Sequence, residues 1–225
     1  MPRASGILLP IFSLPSPYGI GSFGGAARAF AGFLAEAGQK YWQVLPLGPT
    51  GYGDSPYQAF SSHAGNPNFI DLDLLCGEGL LDEAYLAALA WGGDPARVDY
   101  AAVNASRRAA LARAFETFCQ SRDRRAALAA FYAENEAWLA DYALYAALKD
   151  RYGGAPWTDW PDGARVRGES ALDALRCELA QEIEFHAFVQ YEFFAQWRAL
   201  KTYANAHSVR IIGDAPIYVP LDSAD

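Results

Sequence analysis

The chain has 225 residues, of which 52% are hydrophobic and 20% are charged, a globular composition that suits one large domain or two small ones. Eighteen Lys and Arg against 26 Asp and Glu give a net charge of −8. No basic segment is dense enough to neutralise a phosphate backbone, so a nucleic-acid partner is not expected. No run approaches ~18 apolar residues, and the stretch GILLPIF is short and interrupted by proline, so neither a membrane span nor a secretory signal is expected.

The cysteines and histidines argue against a disulfide framework and against a metal site. Cys76, Cys119 and Cys177 are odd in number and far apart in the sequence. We interpret them as buried thiols in a reducing compartment and, with no secretory signal expected, predict a cytoplasmic protein. The three histidines lack the spacing of metal ligands and are interpreted as structural residues.

Residues 1–50 predict a strand, a helix and a second strand. The apolar run 6–13 is closed by prolines and serines, and the run YWQVLPL at 41–47 is apolar on both faces, which is typical of a parallel strand covered on both sides. Between them, Ser22 is the predicted cap of a helix that Gly38 ends. This order predicts a right-handed βαβ unit, in either a doubly wound sheet or a barrel.

A helical insertion is predicted from about residue 80 to 160, where the sequence is rich in alanine and has leucine or aromatic residues every three or four positions. The glycine- and proline-rich stretch 153–168 is a predicted loop that Trp157 and Trp160 hold to a neighbour. The paired tryptophans and the tyrosines of this region, Tyr100 among them, could form a sugar platform, although such residues more often belong to a core.

The C-terminal part of the sequence predicts a long helix and a third strand. Residues 169–206 carry a helical pattern longer than an ordinary globular helix, so a break in it is expected. The apolar segment 209–219 is the predicted strand and contains Asp214, whose carboxylate would cost several kcal/mol if it were buried without a partner. Asp214 either caps a neighbouring amide or belongs to a functional site, because catalytic residues of α/β barrels collect where strands end. Asp222 and Asp225 follow in a loop.

The stretch GPTGYGDSPYQAF, residues 48–60, combines turn-forming glycines and prolines with Tyr52, Asp54, Ser55 and Tyr57. Glycine and proline alone would make it a turn. Aromatic faces and short polar groups on a loop after a parallel strand are also what a carbohydrate site offers to sugar C–H surfaces and hydroxyls. The sequence therefore predicts either a simple turn or a sugar-binding loop.

Four separated blocks carry a family resemblance: SGILLPIFSLPSPYGIGSFG, YWQVLPLGPTGYGDSPYQAFSSHAGNPNFIDL, FVQYEFFAQW and IIGDAPIYV. They are similar, in the same order, to blocks of the amylomaltases, the 4-α-glucanotransferases of glycoside hydrolase family 77. The resemblance implies an α/β fold, the N-terminal part of an interrupted (β/α)₈ TIM barrel with about three barrel strands and a large helical insertion. It divides the chain into the first βα units with a glucan-contacting loop (1–75), a mainly helical insertion (76–168), and a barrel helix with the third strand (169–225).

The activity implied by this resemblance is cleavage of an α-1,4-glucan and transfer of the released piece to another glucan, by a retaining mechanism that requires no cofactor. The implied partners are α-1,4-glucans and maltooligosaccharides. By position, Asp214 matches an active-site aspartate that supports the site and is not the nucleophile. The expected substrate-binding residues are Tyr52, Asp54, Ser55, Tyr57 and Asp214, with Tyr52 and Tyr100 at a secondary glucan site.

The same resemblance places the nucleophilic aspartate and the acid/base glutamate on later barrel strands, beyond residue 225. Retaining chemistry needs two carboxyl groups ~5–5.5 Å apart, so this chain, as the N-terminal fragment of such an enzyme, is expected to be inactive alone. Three strands of an unclosed barrel should expose an edge and an apolar face, which a C-terminal barrel portion would cover. The alternative hypothesis is a non-catalytic glucan-binding or interaction module.

Overall fold

Three short parallel strands form one sheet. The computed structural model describes residues 3–94 and 96–225, and of Tyr52 only the backbone. The strands are β1 (Gly6–Leu8), β2 (Tyr41–Gln43) and β3 (Arg210–Ile212), and β2 lies between the other two. The register places Trp42 beside Ile7 on one side and Ile211 on the other. The predicted α/β class with parallel pairing is confirmed.

Helices form most of the remaining chain. The α-helices are α1 (Gly25–Glu36), α2 (Leu72–Gly77), α3 (Glu83–Ala87), α4 (Tyr100–Phe118), α5 (Arg122–Arg151), α6 (Asp162–Arg165), α7 (Glu169–Glu178) and α8 (Ala180–Ala206). Short 3₁₀ helices lie at Ile11–Ser13, Tyr52–Asp54, Pro67–Phe69 and Trp157–Asp159. The helical region predicted from the alanine-rich pattern is confirmed, and so is the break in the last long helical segment, where Leu179 separates α7 from α8.

The strands are shorter than the apolar runs 6–13, 41–47 and 209–219 predict. Each run continues into a proline, and proline has no N–H to donate to a ladder. After β1 the chain turns into a 3₁₀ helix that follows Pro10. The parallel ladder between β2 and β3 extends only as far as the hydrogen bond from the Val44 N–H to the Ile212 carbonyl, at 3.0 Å. The apolar residues beyond these points therefore lie in loops.

Helix α1 ends as the sequence predicts but does not begin that way. Gly38 is in the left-handed region (φ 72°) and its N–H reaches the Ala35 carbonyl, while the next N–H bonds to the Leu34 carbonyl, which together form a Schellman cap. The predicted Ser22 cap is wrong. Its hydroxyl donates to the buried Asp71 carboxylate at 2.6 Å, and the residue before the helix is Gly24.

One aromatic-rich core joins the sheet to the helices. Trp42 is fully buried, and its indole N–H donates to the Leu9 carbonyl at 2.8 Å. On α8, Phe193 meets Phe23 edge-on with ring centroids 5.1 Å apart, and α8 also packs along α5 and against α1. A second cluster surrounds the buried Trp160. The long helix α8 therefore links the sheet side of the fold to helices α4 and α5.

Two buried glutamines of α8 hold the segment 65–71 by its backbone. The Gln190 amide accepts from the Gly65 N–H at 2.7 Å and donates to the Gly65 carbonyl at 3.0 Å. Gln196 makes the same pair of bonds to Asp71, at 2.6 and 3.1 Å. These amides satisfy backbone groups that would otherwise be buried without partners. The close approach requires glycine, because a Cβ on Gly65 would overlap the ring of Phe193.

The tryptophans of the stretch 153–168 hold that segment to its neighbours, as predicted. The Trp157 indole N–H donates to the Leu221 carbonyl at 2.6 Å, and the Trp160 ring packs on Tyr145 of α5 with centroids 5.5 Å apart. The Trp160 indole N–H donates to the Ala155 carbonyl within the segment, at 3.0 Å. The segment is not all loop, because it contains a 3₁₀ turn and the short helix α6. Both indole N–H groups are used in these structural bonds.

The cysteines are free thiols, but the prediction that all of them are buried is wrong. Cys76 and Cys119 are half-buried, whereas Cys177 is exposed. Of the residues of α7, Leu172 is the buried one, and Cys177 lies between Arg176 and Glu178, whose charged groups form surface ion pairs. Cys177 is thus on the solvent side of the helix.

An apolar part of the sheet is exposed, as the sequence predicts. Strands β1 and β3 each have one edge without a strand partner among the described residues. Ile7, Leu8 and Ile212 are 43%, 52% and 44% exposed. Within the described ranges, no helix combines the length and the apolar character that crossing a membrane requires.

Glu192 is a carboxyl group buried within the helical packing. It is 2% exposed on α8, and the charged groups that act on it are Glu78 at the end of α2 and Arg124 at the start of α5. Burial raises the pKa of Glu192 to about 8, the negative charge of Glu78 adds to the rise, and Arg124 opposes it. The side chain is therefore mostly protonated in the folded protein at neutral pH.

We predict that Glu192 lowers the stability of the protein as the pH rises. Its folded pKa lies above its unfolded value, so the stabilising contribution is complete below the unfolded pKa and is lost on the way up to pH 8. Glu192→Gln should raise the free energy of unfolding above pH 8 by a few kcal/mol and leave it nearly unchanged near pH 4.5. Urea titrations across this range test this, with exposed Glu182→Gln on the same helix as control. A constant difference between wild type and Glu192→Gln at all pH values would contradict it.

We predict that Gly65→Ala destabilises the fold by about 1–3 kcal/mol, because the added methyl group has to displace the Phe193 ring or break the bonds to Gln190. The matched control is Gly77→Ala, since a Cβ at Gly77 would meet no atom within 4 Å. Urea unfolding of the two variants measures the difference. Equal stability of the two variants would show that the glycine is not needed at residue 65.

Candidate functional site

The loops that follow β2 and β3 meet on the surface. Carboxyl ends of parallel strands lie at the same edge of a sheet, so these two loops are neighbours although they are far apart in the sequence. The Tyr57 hydroxyl donates to Asp214 Oδ2 at 2.8 Å. This hydrogen bond to the carboxylate raises the pKa of Tyr57 above its usual value. The structure thus joins two of the residues that the sequence singles out.

The stretch 48–60 is a small hairpin. Thr50 and Ala59 form an antiparallel bridge. The Gly51 N–H donates to the Gln58 carbonyl at 2.6 Å, and the Phe60 N–H donates to the Pro49 carbonyl at 3.0 Å. The turn interpretation of this stretch is therefore right, and the hairpin also presents Tyr57, which is 42% exposed.

The tip of the hairpin contains the other predicted residues. Gly53 and Asp54 have positive φ values of 69° and 54°. The Ser55 hydroxyl accepts from the Tyr57 N–H at 3.3 Å, so Ser55 shapes the turn that carries the tyrosine. Burial raises the pKa of Tyr100, and the negative charge of Asp54 adds to this rise, which puts Tyr100 within electrostatic reach of the tip. The side chain of Tyr52 lies outside the described part of the chain.

A pocket of about 220 Å³ lies between these loops and α8. Its walls include Phe193, Phe194 and Trp197 from α8, and exposed His63 from the loop after β2. Asp214 is the one carboxylate among the described residues that line it. An aromatic wall with a single carboxylate can bind a polar ligand that has apolar faces, but it does not contain the two acids of a glycosidase pair.

Sequence reasoning missed the contribution of α8 to this pocket. Its aromatic residues follow a helical pattern that predicts core packing, and only the structure shows that Phe194 and Trp197 also face the loops. The histidine at residue 63 is structural in part, since its ring stacks on Trp138 with centroids 6.1 Å apart. Among the residues that the structure describes, no three Asp, Glu, His or Cys side chains gather to hold a metal ion.

A second contact region fixes both loops to the helical insertion. Lys149 of α5 donates to Asp222 Oδ2 at 2.7 Å, and its ammonium group lies 4.8 Å from the ring centre of Phe60. Asp222 also accepts from the Tyr145 hydroxyl at 3.0 Å and from the Trp157 N–H at 3.1 Å. The sequence carries no signal for these contacts, because the partners are far apart in the chain and match no short motif.

The loops after β2 and β3 also contact each other away from Tyr57. The Ala224 N–H donates to the Phe60 carbonyl at 2.8 Å. The Ser61 hydroxyl donates to Asp225 at 3.0 Å, and the Ser62 N–H donates to the same carboxylate. Asp214 and the segment 222–225 therefore both touch the segment that begins with the hairpin.

Comparison with known proteins gives consistent matches across the chain. The family model described as 4-alpha-glucanotransferase, glycoside hydrolase family 77, matches residues 9–225. The chain is 52% identical over 227 residues to the 4-alpha-glucanotransferase of Thermus thermophilus, covering 100% of this chain and 44% of that protein. It is 47% identical over 224 residues to that of Streptococcus pneumoniae serotype 4, covering 99% of this chain and 44% of the relative. The chain thus spans less than half the length of these relatives.

A solved structure agrees in fold with the whole described chain. The amylomaltase from Streptococcus agalactiae in complex with acarbose superposes with a TM-score of 0.95 at 44% sequence identity, covering 99% of this chain and 45% of that one. The amylomaltase from Corynebacterium glutamicum matches with a TM-score of 0.64 at 19% identity and shares the fold. The family match, the sequence identities and the superposition agree: this chain belongs to the 4-alpha-glucanotransferase family.

Proposed function

We propose that this chain supplies the glucan-binding N-terminal part of a 4-α-glucanotransferase, which transfers α-1,4-glucan segments between maltooligosaccharides by a retaining mechanism. The observation that carries the proposal is the hydrogen bond between Tyr57 and Asp214 beside an aromatic-walled pocket at the carboxyl edge of a parallel sheet. Family membership supports it, and so does the solved structure of the Streptococcus agalactiae amylomaltase, which is a complex with acarbose.

In this proposal the sheet is the beginning of an interrupted (β/α)₈ barrel. Support comes from the parallel strands, from the edges of β1 and β3 that have no strand partner among the described residues, and from the exposed side chains Ile7, Leu8 and Ile212. A barrel has no free edges, and its strands are covered by neighbouring strands and helices. The C-terminal barrel portion, which corresponds to the length of the relatives that this chain does not match, is the proposed partner of this surface.

The proposed roles follow from the geometry of the loops. The exposed ring of Tyr57 offers an aromatic face to a sugar. Because the Tyr57 O–H is donated to Asp214, the Tyr57 oxygen and the Asp214 carboxylate both offer acceptors to sugar hydroxyls. Ser55 and Asp54 shape the hairpin tip and contribute polar groups to it. Tyr100, together with Tyr52, forms a proposed secondary glucan site near the tip, supported by the effect of the Asp54 charge on Tyr100.

Asp214 is proposed to bind and orient glucan, with the chemistry done by other carboxylates. A retaining mechanism uses two carboxyl groups ~5–5.5 Å apart, one as the nucleophile and one as acid and then base. The pocket contains one carboxylate among its described lining residues, which supports a binding role. The pair would be provided by parts of the full-length relatives that have no counterpart in these 225 residues. Carboxylate chemistry of this kind needs no cofactor.

A cytoplasmic location is proposed as well. Support comes from the three free thiols, one of them exposed, which are typical of proteins in a reducing compartment.

We predict that the chain binds maltoheptaose and that Tyr57→Phe weakens binding about tenfold, because it removes the hydroxyl that bonds to Asp214 and that can accept from a sugar hydroxyl. Asp214→Ala should weaken it at least as much. Tyr132→Phe on α5 is the matched control, because that tyrosine lies among residues of the helical insertion. Isothermal titration calorimetry measures the dissociation constants. Equal affinities of wild type, Tyr57→Phe and Asp214→Ala would show that these two loops do not contribute to glucan binding.

We predict no turnover of maltotriose by the 225-residue chain, since its pocket holds a single carboxylate among the described lining residues. The assay is anion-exchange chromatography of an overnight incubation, with amylose-column retention of the same sample as the check that the protein is folded and binds glucan. Formation of glucose together with longer maltooligosaccharides would show that the chain contains a working acid pair and would contradict the assigned role of Asp214.

A further inference from the structure

We propose that the Lys149–Asp222 ion pair is a positioning device for the glucan-facing loops. It fixes the hairpin that carries Tyr57 and the loop that begins at Asp214 to the same turn of α5, so that the two side chains stay in contact. We call Lys149, Asp222, Tyr145 and Phe60 the loop clasp. The effect of the clasp on glucan binding rests on the proposed function, whereas its effect on the Tyr57–Asp214 contact does not.

The Lys149 ammonium group has all of its donors engaged. Its side chain is 11% exposed, and Nζ bonds to Asp222 Oδ2 at 2.7 Å, to the Gly154 carbonyl at 2.8 Å and to the Ala155 carbonyl at 3.1 Å. An ammonium group has three N–H donors, so each one has a partner. The Phe60 ring, 4.8 Å away, adds a cation–π contact from the loop after β2. Lys149 thus touches both loops at once.

The Asp222 carboxylate likewise accepts several hydrogen bonds. Besides Lys149, it accepts from the Tyr145 hydroxyl at 3.0 Å and from the Trp157 N–H at 3.1 Å, and its side chain is 28% exposed. A largely buried ion pair with a full set of hydrogen bonds resists separation, because removal of one partner leaves the other charge uncompensated. The clasp can therefore hold a segment at a defined position, which an exposed ion pair does not do reliably.

The chain between Asp214 and the clasp is largely open to solvent. Ile217 is fully exposed and Tyr218 is 66% exposed. The segment is fixed by β3 at its start, and at its end by the bond from the Trp157 indole N–H to the Leu221 carbonyl and by Asp222 and the following residues. On the other loop, Phe60 ends the hairpin that carries Tyr57, and it also accepts from the Ala224 N–H. Displacement at the clasp would therefore shift Asp214 relative to Tyr57.

The ordinary alternative is that the ion pair only adds stability. The two interpretations differ in one local observable, the environment of the Tyr57 hydroxyl at pH 7. If the clasp positions the loops, its loss changes that environment even where the protein remains folded. If the pair is a stabilising contact alone, its loss lowers the melting temperature and leaves the Tyr57–Asp214 bond as it is.

The test is NMR of protein labelled with ¹³Cζ-tyrosine. The Tyr57→Phe variant assigns the Tyr57 resonance, and the Asp214→Ala variant shows where that resonance lies when the contact is broken. Lys149→Met should move the Tyr57 resonance toward its position in Asp214→Ala. Arg176→Met, which removes the exposed pair with Asp173, is the matched control and should leave it unchanged. If Lys149→Met does not fold, Tyr145→Phe removes one donor to Asp222 and should move the resonance in the same direction by a smaller amount. An unmoved Tyr57 resonance in a folded clasp variant would overturn the proposal.

Maltoheptaose affinity is the second readout. Lys149→Met should weaken binding about tenfold, as loss of the Tyr57 hydrogen bond does, and Arg176→Met should not. A shifted Tyr57 resonance with unchanged affinity would overturn the link between the clasp and glucan binding. If the wild-type chain does not bind maltoheptaose, the proposed function fails for this chain, and the NMR comparison still decides whether the clasp positions the two loops.

Discussion

Parallel pairing of β2 with both β1 and β3 is the constraint on which the rest of the structure depends. It brings the residues that follow β2 and β3 to one edge of the sheet, although more than half of the chain lies between them. Buried Trp42 fixes the central strand from one face through its bond to Leu9 and its contact with Phe30. The strands are only three residues long, and they share one core with helices α1 and α8, which pack against β2 and β3.

Helices α5 and α8 contribute to the candidate site by holding its loops and by lining its pocket. Helix α5 brings Tyr145 and Lys149 to the loop that begins at Asp214, and Lys149 also meets Phe60 of the hairpin. Helix α8 provides the aromatic wall of the pocket. Two elements that bear no predicted substrate-binding residue thus determine where Tyr57 and Asp214 lie. If these loops bind glucan as proposed, their rigid supports limit the entropy lost when a ligand binds.

The sequence predicts the class of fold better than it predicts contacts. Hydrophobic runs and Gly38 identify the strands, α1 and the helical region, because periodicity and turn chemistry are local properties. Ser22 does not cap the helix, because its hydroxyl donates to Asp71, which is distant in the sequence. Tyr57 and Asp214 are each recognisable from a local pattern or from the family resemblance, yet their hydrogen bond depends on strand order. The Lys149–Asp222 pair depends wholly on tertiary packing, and no sequence pattern indicates it.

We propose that the hairpin after β2 and the loop after β3 form one glucan-binding surface. The most direct measurement is a crystal structure of the 225-residue chain with maltoheptaose bound. We expect sugar density against the exposed ring of Tyr57, with a sugar hydroxyl within hydrogen-bond distance of the Asp214 carboxylate. Glucan bound at a different surface, with Tyr57 and Asp214 still bonded to each other and free of sugar, would contradict it.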